Sequence, residues 1–134
     1  EISGHFFFGE LGHDDGLYAA LVMAEIIGAS GRRMSELIKE IPKPLISPDI
    51  RIPCPYAEQD RWLKSVRLLK KEAVLTEIDG VRAEFPYGWL LVRKSVTEES
   101  ITVRFEAEDR DSMQKLKEKL PGVLPELSRH PYFQ

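Results

Sequence analysis

Val74-Leu75-Thr76-Glu77-Ile78-Asp79-Gly80-Val81-Arg82-Ala83-Glu84-Phe85 is the stretch on which the fold turns. Asp-Gly between two runs of β-forming residues is the strongest short-range hairpin signal, because a tight turn needs positive φ and Gly supplies it freely. Val81, Ala83 and Phe85 alternate with Arg82 and Glu84, so one face of the second strand is buried and the other is wet. Downstream, a turn at Tyr87-Gly88 leads into a strand over Trp89–Arg93. A last strand, Ile101–Ala107, alternates Ile101, Val103, Phe105 and Ala107 against Thr102, Arg104 and Glu106. Upstream, the pattern predicts a strand over Leu45–Ile52 and a helix over Ala57–Lys71 with Trp62, Leu63, Val66 and Leu69 as its apolar stripe. The basic residues around that stripe, Arg61, Lys64, Arg67, Lys70 and Lys71, read as a solvated face rather than a nucleic-acid surface. Asp109 can cap a final helix whose stripe is Met113, Leu116 and Leu120. A meander of antiparallel strands with two helices covering one face is an α+β layer.

The character changes at Ile41-Pro42-Lys43-Pro44, where two prolines exclude a continuing helix. We place a domain boundary there, giving units 1–43 and 44–134. In the first unit, Asp14 or Asp15 can cap a helix over Leu17–Ile27 in which only Glu25 interrupts the apolar residues. Such a helix must be covered on several faces, and it falls short of the about 20 residues that span a bilayer. One candidate strand, Phe6–Phe8, and one short helix, Met34–Ile41, are too little to cover it. Its cover is expected from other sequence or from self-association.

A chain of 134 residues holds one domain, or one small domain plus part of another. A net charge of −3 argues against a nucleic-acid binder. Nothing in the sequence reads as a membrane span or a secretory signal. The lone Cys54, between Pro53 and Pro55, cannot form an internal disulfide; it reads as structural and suits a reducing, cytoplasmic compartment.

Two stretches carry chemistry. In Glu1-Ile2-Ser3-Gly4-His5, a carboxylate that accepts from adjacent hydroxyls stands two residues from a hydroxyl that donates and accepts, which suits a sugar ring. His5 can aid proton transfer or simply order the loop. In Arg93-Lys94-Ser95-Val96-Thr97, a guanidinium fork, an ammonium, two hydroxyls and loop amides suit a phosphate dianion, although similar runs occur in ordinary turns. His13-Asp14-Asp15 reads as helix capping rather than a metal site, since consecutive residues rarely converge on one ion. His130 has no partner set.

Glu1–Leu21, EISGHFFFGELGHDDGLYAAL, resembles the sugar-recognition loop and following helix of the α-D-phosphohexomutases, in the phosphomannomutase/phosphoglucomutase branch. Pro48–Pro55 (PDIRIPCP), Ile78–Trp89 (IDGVRAEFPYGW) and Leu91–Thr97 (LVRKSVT) fall in the order and spacing of that family's last domain. The resemblance implies that residues 1–43 are the C-terminal remnant of an α/β third domain that recognises sugar, and that 44–134 are a TBP-like fourth domain that binds phosphate. By the same resemblance Glu1 and Ser3 contact the sugar. Arg93, Ser95 and Thr97 grip the substrate phosphate, with Lys94 able to add charge. The family loop runs Arg-Ala-Ser-Asn-Thr-Glu-Pro, so this chain departs at Lys94, Val96 and Glu99; losing Pro is expected to loosen the turn.

The family interconverts hexose 1- and 6-phosphates of mannose and glucose through a hexose 1,6-bisphosphate. It uses a phosphorylated serine and an Mg2+-binding loop in earlier domains. Neither a Ser-His-Asn sequence nor an Asp-Gly-Asp repeat occurs here, so no catalytic residue is expected in this chain, which alone should be inactive. The implied partners are a phosphosugar and the preceding domains. Two alternatives are a phosphoglucosamine mutase fragment and a free-standing, non-catalytic interaction module.

Overall fold

A computed structural model describes residues 4–134. They form two units, one ending at Pro42 and the other spanning Lys43–Gln134.

The first unit is built on α1, Gly16–Ser30. Of the two candidate caps, Asp15 does the work: Tyr18 N–H donates to its Oδ1 at 2.9 Å. Gly31, with φ of 62°, ends the helix in the left-handed region and its N–H donates to the Ile27 carbonyl. No residue of α1 is buried, and Leu17 and Leu21 are 74% and 61% exposed. The strand expected over Phe6–Phe8 shrinks to one bridge, Phe7 with Asp14. The chain turns away immediately, the N–H groups of Leu11 and Gly12 both donating to the Phe8 carbonyl. Phe8 packs edge-on against Tyr18, while Phe6 and Phe7 stay exposed. The helix expected over Met34–Ile41 is a four-residue α2, Met34–Leu37, followed by a 3-10 turn, Ile38–Glu40. Ile41 is extended, as a residue before proline prefers to be.

The second unit is one antiparallel sheet of β1 (Leu45–Ile46), β2 (Ile50–Pro53), β3 (Val74–Thr76), β4 (Val81–Phe85), β5 (Gly88–Lys94) and β6 (Ser100–Ala107). The order is β1-β6-β5-β4-β3, with β2 also paired to β6. Helix α3 (Tyr56–Arg67, then a 3-10 turn to Lys71) and helix α4 (Arg110–Val123) pack on the sheet. Short 3-10 turns at Pro125–Arg129 and Pro131–Phe133 finish the chain. Two cross-strand rows, Ile50–Val103–Val92–Val81 and Phe105–Leu90–Ala83, point to the helices. All of these residues are fully buried and meet Trp62, Val66, Leu116 and Leu120 in one core.

Two expectations change in detail. The single strand over Leu45–Ile52 is two, because Pro48 has no N–H to give the ladder. Ser47 repairs the break: its N–H donates to the Phe105 carbonyl at 2.9 Å, and its Oγ accepts from the Phe105 N–H at 3.0 Å. The strand expected over Val74–Ile78 stops at Thr76, since the Arg67 fork captures the Glu77 carboxylate at 2.8–3.2 Å and draws it toward α3. The turn then lies against the end of β5. Gly80 has φ of 85°, and a Cβ there would sit 2.2 Å from the Val92 carbonyl oxygen and 2.8 Å from Arg93 Cα.

Candidate functional site

Glu1 and Ser3 lie outside the described residues. His5 Nε2 is 3.8 Å from the Asp14 carboxylate. His13 Nδ1 is 2.9 Å from the Leu11 carbonyl oxygen.

The second stretch joins β5 to β6. Ser95 N–H donates to the Ser100 carbonyl at 3.0 Å, closing the loop, and Glu98 N–H donates to Ser95 Oγ at 3.2 Å. Ser95 Oγ therefore shapes the turn in addition to any ligand role. Val96 is 92% exposed at the tip. Glu99, in place of the proline expected there, ties the loop down. Its carbonyl accepts from Cys54 N–H at 2.8 Å, and its carboxylate accepts from Tyr56 N–H at 3.3 Å, at the start of α3. Buried Gln59 completes the clamp, its side-chain amide donating to the carbonyls of Cys54 and Ser100 at 3.1 and 3.4 Å. Cys54 is buried, and that burial pushes its thiol above the ordinary value.

Strand alternation divides the cations. Successive side chains leave opposite faces of a strand, and Arg93 and Lys94 are successive. Lys94 lies on the helix side, where its Nζ meets Asp60 of α3 at 2.7 Å and holds that carboxyl below its ordinary range through a hydrogen bond. Arg93 lies on the open face and reaches Asp79 in the β3–β4 turn at 3.1 Å. The open face thus carries Arg93 at the root of the hydroxyl-bearing loop, and Lys94 is engaged elsewhere.

That face holds more than the sequence suggested. Thr102 is the cross-strand partner of both Arg93 and Arg51, so Arg51, Thr102 and Arg93 form one row. Arg51 Nε donates to Asp49 at 3.1 Å, and its Nη1 lies 3.5 Å from Glu98 Oε2; the Asp49 contact raises the guanidinium above its ordinary value. One signal for Gln59 was legible: it continues the inward stripe of Trp62, Leu63 and Val66 one turn earlier. Arg51 had none, because strand partners so far apart in sequence leave no local trace.

A hollow of about 270 Å³ lies at the other end of the sheet, around Trp89. Glu84, Glu106 and Glu108 line it, the wrong sign for a phosphate. Among the described residues no group of His, Cys, Asp and Glu side chains could hold a metal ion, and no helix is long and apolar enough to cross a membrane.

Comparison with known proteins bears on this arrangement. Residues 50–121 match the family model described as "Phosphoglucomutase/phosphomannomutase, C-terminal domain", and residues 1–45 match its "alpha/beta/alpha domain III". A "Phosphomannomutase/phosphoglucomutase" of Pseudomonas aeruginosa is 33% identical over 87% of this chain and 26% of its own length. A "Phosphoglucomutase" of Neisseria meningitidis is 33% identical over 92% of this chain and 28% of its own. A phosphoglucomutase/phosphomannomutase family protein of Burkholderia thailandensis superposes with a TM-score of 0.75 at 27% identity, over 97% of this chain and 28% of its own. The chain therefore spans about a quarter of the length of the relatives it matches. With both family domains matched in order along it, the chain belongs to the phosphoglucomutase/phosphomannomutase family.

Proposed function

We propose that this chain is the sugar- and phosphate-recognising C-terminal part of a cytoplasmic phosphohexomutase that interconverts 1- and 6-phosphates of glucose and mannose through a hexose 1,6-bisphosphate. Residues 1–43 belong to its third domain and 44–134 form its fourth. The observation that carries this reading is Arg93 on the open sheet face beside the hydroxyl-bearing loop, in a chain whose relatives are named for that chemistry. A relative named "Probable phosphoglucosamine mutase", from Thermococcus gammatolerans, is 31% identical. It keeps glucosamine phosphate as the second substrate to test.

In this reading Arg93 holds the phosphate that does not react, with Ser95 and Thr97 alongside, while Glu1 and Ser3 hold the ring. Fixing both ends of a phosphosugar converts an encounter into an oriented reaction, which is positioning rather than chemistry. Mg2+ would supply charge neutralisation for phosphoryl transfer, and its ligands would come from the other domains, as would the phosphorylated serine. Those domains would also cover α1.

The test is Arg93→Ala in the complete protein. Losing a charge-assisted hydrogen bond costs about 1.5–3 kcal/mol, so kcat/KM should fall about ten- to a hundredfold. The fall should be the same for glucose and mannose phosphates, since phosphate is common to both. Arg93→Lys should recover only part of it, the fork being lost. Unchanged kcat/KM for both sugars would remove the loop as the phosphate site.

A further inference from the structure

We propose that Arg51, on β2, is the second phosphate-binding cation of this site. It pairs with Arg93 across Thr102, and it takes the role that the run Arg93-Lys94 suggests for Lys94. The inference rests on the phosphate-site reading of the β5–β6 loop and adds a residue to it.

The geometry is specific. Arg51 and Arg93 are both cross-strand partners of Thr102, so all three side chains leave the same face of the sheet. Two inter-strand spacings separate the arginine Cα atoms by about 10 Å, a span across which two guanidinium forks can converge on one tetrahedral anion. The Thr102 hydroxyl lies between them. Arg51 already leans on the loop through Glu98.

The opposing charges have to be counted. Glu98 and Asp49 flank Arg51, and Asp79 meets Arg93. All three carboxylates are largely exposed, at 42–71% of the side chain. Exposed ion pairs of this kind are weak, whereas two forks on one dianion make strong bidentate contacts. The phosphate would therefore displace Glu98 and Asp79, leaving Asp49 to aim Arg51.

The experiment titrates this chain with inorganic phosphate at low ionic strength and follows the amide resonances of residues 93–102. Arg51→Ala should weaken binding about tenfold, and Lys94→Ala less than twofold. Glu98→Gln should tighten binding, because it removes a competing anion. Were Arg51 only a strut holding Glu98 in place, Glu98→Gln would weaken binding as Arg51→Ala does, and the proposal would fall. It would fall equally if Arg51→Ala bound phosphate like the parent while Arg93→Ala did not. If the parent chain showed no phosphate-dependent shifts in this loop, the phosphate-site reading itself would fail and take the proposal with it. A melting temperature for Arg51→Ala equal to the parent's should accompany the weakened binding, and a lowered one with the loop resonances collapsed toward random-coil positions would assign Arg51 to folding instead.

Discussion

Ser47 is a small residue with a large structural duty. It sits where Pro48 breaks the edge ladder, and its hydroxyl is the acceptor for the buried Phe105 N–H. Ser47→Ala would leave that N–H without a partner, and an orphaned buried donor costs about 1–3 kcal/mol. Chemical denaturation should show a lower midpoint with an unchanged slope, because the exposed surface of the unfolded chain is the same. Nothing in the sequence around Ser47 announces this, since the contact depends on a residue in the last strand. Arg93 could be picked out as a phosphate contact from the sequence because its chemistry and its place at the end of a strand, before a hydroxyl-bearing loop, are local facts. The division between Arg93 and Lys94 was also latent there, in the two-residue period of the strand. Arg51 was not, because only the folded sheet brings β2 beside β6.

Among elements, the strands were the most legible and the edges the least. Alternation over Val81–Phe85 and Ile101–Ala107 maps directly onto the buried rows. The short β1 and β2 and the early end of β3 come instead from Pro48 and from the Arg67–Glu77 pair, a tertiary contact. Helix α1 was legible as an apolar helix in need of cover, and within its own unit it has little. Leu17, Leu21 and Ile26 are exposed, and a groove of about 450 Å³ runs past Phe6, Phe8 and Met23. Local opening needs little free energy where few apolar contacts form. Amide exchange in a dilute sample of this chain should therefore be faster in α1 than in β4–β6. At higher concentration α1 should gain protection as copies associate through the exposed face. Equal protection of α1 and the strands in a strictly monomeric sample would count against that view.

At the scale of the whole molecule, two exposed ion pairs and a helix cap each add a little to the second unit, and acid should remove what they add together. Asp60 is held below the ordinary carboxylate range by Lys94, Glu77 by Arg67, and Asp109 by the Ser112 N–H it caps. Each is a carboxyl whose folded pKa is depressed. Its stabilising effect is complete above the ordinary carboxylate values and drains away as pH falls through the depressed folded ones. Thermal melts should show a plateau near neutrality and a decline that begins below about pH 5. The decline should be shallower in an Asp60→Asn, Glu77→Gln, Asp109→Asn triple variant, whose neutral-pH midpoint starts lower. An identical acid profile in parent and variant would place the acid sensitivity in other groups.

Gly80 lets the β3–β4 turn lie directly on the backbone of β5, and that contact fixes Asp79 beside Arg93. Asp79 is then a tethered rival for the guanidinium, present at a constant effective concentration whatever the composition of the solution. A small free anion has to outcompete it with a single set of contacts. A phosphosugar brings a ring that can be held elsewhere, and so wins the exchange on combined contacts. In the proposed enzyme, a glycine with no side chain to offer would thereby widen the margin by which the site prefers a phosphosugar over the inorganic phosphate it also binds.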